Sequence, residues 1–122
     1  MARILVIDDE LLVRDMLKAL LEAEGHEVVE ASDGKEGVSL YRSNRADLVI
    51  TDILMPEADG SVAIRQLKRE FPDVKIIAMS GGGEIVGSET CLSVAQRVGA
   101  NKVFEKPLPH DELLQAVQDL LG

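Results

Sequence analysis

Apolar residues along the chain fall into five short runs, each followed by polar and apolar positions at helical spacing. Ile4-Leu5-Val6-Ile7 comes first and is continuous rather than alternating, as in a strand covered on both faces. Val13, Met16, Leu17, Leu20 and Leu21 then recur at helical spacing, and Gly25 is placed to cap that helix at its C-terminal end. His26 to Ala31 predicts a second strand, Ser32-Asp33-Gly34 a turn, and Val38, Leu40 and Tyr41 a second helix. Asp47 to Thr51 predicts a third strand that ends at Asp52. Asp59-Gly60-Ser61 opens a third helix carrying Val62, Ile64 and Leu67, which stops at Phe71-Pro72. Val74 to Met79 predicts a fourth strand, Ser88 to Val98 a fourth helix closed by Gly99, and Lys102 to Glu105 a fifth strand. Leu113, Leu114, Val117, Leu120 and Leu121 stripe a last helix, which Pro109 can start because its missing N–H is not needed there.

Strand–helix alternation repeated five times implies right-handed crossovers and a doubly wound α/β fold, a parallel sheet with helices on both faces. No linker or low-complexity segment interrupts the pattern, so residues 1–122 are expected to form one domain. In such sheets ligands bind beyond the carboxyl ends of the strands, where strand order reverses. Those ends carry Asp8 and Asp9 on the first strand, Asp52 on the third, Ser80 on the fourth and Lys106 on the fifth.

Composition narrows the function classes. With 46% apolar and 29% charged residues the chain reads as globular, and with only 2% aromatics its core must be aliphatic. A formal charge of −9 argues against sequence-independent binding to nucleic acid and against an anionic membrane surface. The single Cys91 excludes an internal disulfide and a cysteine-based zinc site, and reads as a small buried hydrophobe. His26 and His110 read as surface histidines. Met1-Ala2-Arg3 before four apolar residues is neither a signal peptide nor a spanning segment, so a cytoplasmic location is expected.

The strand-end residues make a coherent set. Converging carboxylates form a hard, oxygen-rich site suited to Mg²⁺ or Mn²⁺, and Mg²⁺ readily takes a phosphate oxygen as well. A hydroxyl and an ammonium suit the remaining oxygens of a phosphoryl group. Flavin- and dinucleotide-binding relatives of this fold instead place Gly, Ser or Thr after the first strand, where backbone N–H groups meet phosphate. Here that turn is acidic. Gly81-Gly82-Gly83 lacks the Lys-Ser/Thr that makes a P-loop specific.

In these residues the chain resembles, over nearly its whole length, the receiver domains of two-component response regulators of the chemotaxis-regulator type. The resemblance is carried by Asp8-Asp9, the run Asp52-Ile53-Leu54-Met55-Pro56 with Asp59-Gly60, Ser80 followed by small Gly81, and Lys106-Pro107. It implies a five-stranded, flavodoxin-like (βα)5 sheet of order 2-1-3-4-5. Asp52 would be the phosphoacceptor, taking a phosphoryl group from a sensor histidine kinase or a histidine phosphotransfer protein. Asp9, Asp52 and the Leu54 backbone carbonyl would ligate Mg²⁺ directly, with Asp8 acting through water. Ser80 would hydrogen-bond the phosphoryl group and Lys106 would pair with it. The Lys106–Pro107 bond resembles one the family holds cis. Such a module is a signalling switch and not a turnover enzyme, either monomeric or dimerising on phosphorylation. Its output is a downstream protein target or a fused domain, as a stand-alone regulator or as the N-terminal part of a longer protein.

Some residues read blandly beside these. Glu10 is expected to be a first-turn helix residue and a bystander to the site. Asp59-Gly60 and Met55-Pro56 shape a loop, while Glu36, Glu57, Arg65, Lys68 and Arg69 read as solvated faces. Two other function classes compete with the leading one. A Mg²⁺-dependent phosphohydrolase using Asp52 as nucleophile commonly needs a second acid two residues on, where Leu54 stands. A receiver-like interaction module that is never phosphorylated conflicts with the presence of Asp8, Asp9, Asp52, Ser80 and Lys106 together.

The chain also departs from the family pattern. Where receivers usually carry Tyr or Phe, three residues before the lysine, it has Val103; Phe104 follows and should face the opposite side of the strand. The conformational switch is therefore expected in the long loop 81–87 and in the fourth-helix, fifth-strand and last-helix face. Leu54 and Gly82 offer no group to orient water, although self-dephosphorylation is still expected.

Overall fold

The structure, a computed structural model, describes residues 2–53, 60–80 and 99–122, with the side chains of Gly60 and Ser61 excepted. Successive side chains of β1 (Arg3–Ile7) point to opposite faces, and both faces are apolar. Leu5 and Ile7 enter one aliphatic cluster and Ile4 and Val6 another, all at most 1% exposed. The continuous run thus reads correctly as a strand covered on both sides.

The same logic builds β2 (Glu27–Ala31), β3 (Leu48–Asp52), β4 (Ile76–Ser80) and β5 (Lys102–Glu105). All pair in parallel in the order β2-β1-β3-β4-β5, as expected. α2 (Gly34–Ser43) and α3 (Gly60–Glu70) cover one face through Val38, Tyr41, Ile64 and Leu67. α1 (Leu11–Ala23) and the C-terminal helix (His110–Leu121) cover the other through Leu17, Leu21, Leu113 and Val117. Burying each such side chain stabilises by about 1.5–3 kcal/mol, so the two clusters carry most of the driving force. The fourth predicted helix, Ser88 to Val98, lies outside the described residues; Gly99 after it has the left-handed φ of +89° that a cap requires. Among the described residues no helix is long and apolar enough to cross a membrane.

Helix ends fix how the strands enter the site. α1 ends in a Schellman turn: Gly25 takes φ +88°, its N–H donates to the Glu22 carbonyl at 3.0 Å, and His26 N–H donates to Leu21 at 3.2 Å. His26 itself is half-buried, its Nδ1 accepting from Ala2 N–H at 3.2 Å, so it is less of a surface histidine than expected. α2 starts with a reciprocal cap. Asp33 Oδ1 accepts from Glu36 N–H at 2.7 Å, while Glu36 Oε1 accepts from Ser32 N–H at 2.8 Å. Glu36 is thus a capping residue, not merely part of a solvated face. Gly37 lets α2 approach β1 closely, since a Cβ there would lie 2.3 Å from Ile7 Cδ1.

One position of the predicted stripes fails: Val62 is 49% exposed on α3, because two residues before Ile64 it lies on the opposite side of the helix from the face that Ala63, Ile64 and Leu67 seat on the sheet. At the other end of the sheet, Tyr41 and Phe71 meet edge to face with centroids 4.9 Å apart, and the Arg45 guanidinium lies 4.3 Å above the Phe71 ring.

Candidate functional site

Sheet register sets the heights of the site residues. Ile7 pairs with Thr51 and Asp52 with Met79, so Asp8 and Asp52 stand level on adjacent strands. Ser80 lies one residue higher on β4 and Lys106 directly follows β5. The ladder continues past the strands: Asp8 N–H donates to Ala31 at 3.1 Å, Ile53 N–H to Met79 at 2.9 Å, and Lys106 N–H to Ser80 at 2.7 Å. These bonds hold the backbone beneath each functional side chain. The Lys106–Pro107 bond is cis, as the resemblance implies.

The structure brings Asp8, Asp9, Glu10 and Asp52 together, with one carboxylate oxygen of each within 4.8 Å of all the others. Asp8 is fully buried and Asp52 nearly so, whereas Asp9 and Glu10 are exposed. Lys106 Nζ reaches across them, 2.8 Å from Asp52 Oδ2, 3.1 Å from Asp8 Oδ2 and 3.2 Å from Glu10 Oε1. Asp8 Oδ1 accepts from Glu10 N–H at 2.8 Å, and the Arg14 guanidinium donates to the Asp8 carbonyl at 2.6 Å.

Burial disfavours the Lys106 ammonium, but hydrogen bonds to Asp52 and then Asp8 more than offset it and hold its pKa above the ordinary lysine range. Burial pushes the Asp8 carboxyl upward, against the Glu10 N–H and the Lys106 ammonium, which both favour its charge. One ammonium among four carboxylates leaves the cluster strongly negative.

That donor set fits a small divalent cation. The oxygens are hard, close enough to share one ion, and held partly by buried backbone. Ser80 adds a separate observation: its Oγ is buried and has no hydrogen-bond partner among the described residues, where buried hydroxyls normally have one.

Two residues gain a place that sequence reasoning did not assign them. Glu10 is no bystander, because α1 starts at Leu11 and leaves Glu10 at the N-cap with extended backbone, φ −92° and ψ 113°, free to turn back over the site. Its position directly after Asp9 was the available signal. Arg14, which also lies 3.4 Å from Glu30, had none, since its contact is to a backbone carbonyl. Val103 packs into the α2/α3 cluster and Phe104 against the opposite one, so the two do face apart as alternation requires. Leu54, Met55, Pro56, Glu57, Asp59, Gly81 to Gly83, the loop 81–87 and Cys91 lie outside the described residues.

A five-stranded parallel sheet of order β2-β1-β3-β4-β5, with carboxylates at the ends of two central strands, a serine ending the next and a lysine just after the last, defines a flavodoxin-like α/β protein with an acidic site at its carboxyl end. The model of the response regulator receiver domain matches residues 4–118, and the chain belongs to that family, a part of two-component signalling systems. It is 36% identical over 121 residues to the chemotaxis protein CheY of Bacillus subtilis, covering 98% of both chains. A receiver-domain crystal structure from Clostridium thermocellum superposes with a TM-score of 0.88 at 33% identity, covering 99% of this chain and 94% of that one. The response regulator TrrA of Thermotoga maritima, solved in complex with Mg²⁺ and BeF, gives a TM-score of 0.83 at 33% identity over 98% of this chain and 99% of that one. Other curated relatives, probable transcriptional regulators, are longer, and the chain spans about half their length.

Proposed function

We propose that the chain, as one domain over residues 1–122, is a phosphoacceptor switch in which Asp52 receives a phosphoryl group from the phosphohistidine of a sensor kinase or a phosphotransfer protein. The observation that carries this reading is the position of Lys106 Nζ, 2.8 Å from Asp52 and 3.1 Å from Asp8, within a cluster of carboxylates. An Asp52 carboxylate oxygen attacks phosphorus as the P–N bond to the donor imidazole breaks. The imidazole leaves with the electron pair and is protonated, and an acyl phosphate remains on Asp52.

Catalysis of such a step needs position and charge neutralisation more than covalent help. Lys106 supplies a cation for the equatorial oxygens, and Ser80 Oγ is a donor with no other commitment among the described residues. Asp8, Asp9, Asp52 and the Leu54 carbonyl would hold Mg²⁺ or Mn²⁺, which when bound neutralises the acidic cluster and the incoming phosphoryl oxygens. The Mg²⁺ and BeF bound by TrrA support that assignment by similarity. Such a switch would work in the cytoplasm, and the charge of −9 accords with a protein partner and not a polyanion.

Incubation with Mg²⁺ and acetyl phosphate, followed by intact-mass measurement, tests the proposal. One phosphoryl adduct is expected, absent in Asp52→Asn and without divalent cation. An adduct undiminished in Asp52→Asn would sink it.

A further inference from the structure

An ammonium has three N–H donors, and those of Lys106 have three carboxylates in reach, Asp52, Asp8 and Glu10. The three acceptors are held differently. Asp8 is fully buried and already accepts from the Glu10 amide. Asp52 sits in β3 at 4% exposure. The Glu10 side chain is 62% exposed and, although its backbone stands at the N-cap of α1, it makes no capping hydrogen bond. Among the described residues, its contact with another side chain is the one to Lys106.

A phosphoryl group on Asp52 adds oxygens that need Lys106, so the ammonium must give up one carboxylate. Leaving a buried charge unpaired is costly, whereas releasing an exposed ion pair costs little because water replaces it. Glu10 is therefore the acceptor that can be released. We infer that Glu10 is a positioning residue, holding Lys106 in the resting site and yielding it to a phosphoryl oxygen once Asp52 is modified. This deepens the phosphoacceptor reading and rests on it. No covalent bond changes; one hydrogen-bonded ion pair is exchanged for another.

The exchange has two consequences of opposite sign. In the resting site, Glu10 adds negative charge and draws Lys106 outward from Asp8 and Asp52. A divalent cation then competes less with Lys106 for those two carboxylates. In the modified site, Glu10 competes with the phosphoryl group for the same ammonium and repels its charge. Neutralising Glu10 should thus weaken Mg²⁺ binding and strengthen binding of a phosphoryl mimic. A general loss of structure weakens both.

The experiment uses the full chain and Glu10→Gln, which keeps the shape of the side chain. Calorimetric titration with Mg²⁺ alone, without a phosphodonor, is expected to show affinity reduced about two- to fivefold, the range of an exposed ion pair. Titration with beryllium fluoride at saturating Mg²⁺ is expected to show affinity raised by a similar factor. Glu10→Asp, which retains the charge, should recover most of the Mg²⁺ affinity. A wild-type chain that binds both probes, beside a Glu10→Gln chain unchanged in both or shifted the same way in both, overturns this inference alone. A wild-type chain that binds neither probe overturns the phosphoacceptor reading and this inference with it.

Discussion

Lys106 and Asp52, 54 residues apart in sequence, meet at 2.8 Å over the carboxyl ends of β5 and β3. Two strands separate in the chain, with β4 between them in the sheet, converge on one carboxylate oxygen. The ammonium is the site's own cation, and its absence should be felt in folding as well as in chemistry.

Lys106→Met leaves Asp8, fully buried, without its cationic neighbour. Because the lysine head is partly solvated, the loss should be smaller than for a fully buried pair, about 1–2 kcal/mol. Urea unfolding followed by circular dichroism, in chelator, measures it. Millimolar Mg²⁺ should restore most of the stability, and equal losses with and without Mg²⁺ would contradict the charge argument.

Divalent cation should stabilise the wild-type chain by mass action, by about 2.7 kcal/mol at a hundredfold excess over Kd. Asp9→Asn should lose most of that increment while changing metal-free stability little, since Asp9 is exposed. Thermal unfolding at several Mg²⁺ concentrations distinguishes these. A Mg²⁺-dependent Tm in Asp9→Asn equal to that of wild type would remove Asp9 from the ligand set.

Asp8 gives a pH dependence of definite sign. Its folded-state pKa is raised above the unfolded value by burial, so its contribution to stability is fully present below about pH 4 and is lost as pH rises through the folded pKa. In metal-free buffer, Asp8→Asn removes this loss, while the amide oxygen can still accept from the Glu10 N–H. The variant should therefore gain stability relative to wild type as pH rises from 4 to 7, and should bind Mg²⁺ more weakly. A stability difference that does not change with pH would show that burial is not what governs Asp8.

Gly37→Ala pits two effects against each other. Alanine favours the helix by about 1 kcal/mol, but its Cβ would lie 2.3 Å from Ile7 Cδ1 in a fully packed core, where overpacking costs about 1–3 kcal/mol. A net destabilisation of about 1 kcal/mol is expected. Ile7→Val deletes Cδ1 and should recover part of the loss in the double variant, while Cγ1, 2.7 Å from the same Cβ, retains the rest. Chemical denaturation of the four chains in a cycle gives the coupling.

How much was legible beforehand depends on the kind of signal. Ile4-Leu5-Val6-Ile7 and its counterparts announced buried strands because a sheet covered on both faces leaves no polar alternation. The third and fourth strands end one residue later than their apolar runs predict: Asp52 and Ser80 lie inside β3 and β4, since a polar side chain at a strand's last position still takes part in the ladder. The residues converging at the strand ends, Asp8, Asp9, Asp52 and Lys106, follow from topology once the strands are known. Glu10 escapes a sequence reading because a one-residue shift in the start of α1 decides where it points, and Arg14 because it donates to a backbone carbonyl. The cap by Glu36 is legible in principle, since Asp33-x-x-Glu36 has capping-box spacing, but reading Ser32-Asp33-Gly34 only as a turn passes over it.

The pairing of Tyr41 with Phe71 bears on how this protein can be watched. The chain has no tryptophan and a single tyrosine. Tyr41 lies in the last turn of α2, which runs back from the site to the opposite end of the sheet, about a five-residue strand length or 16 Å away. Its emission is therefore expected to report melting of the α2/α3 face and to change little when the acidic end of the sheet takes up metal or phosphoryl. An optical readout of signalling has to be built in at the strand ends.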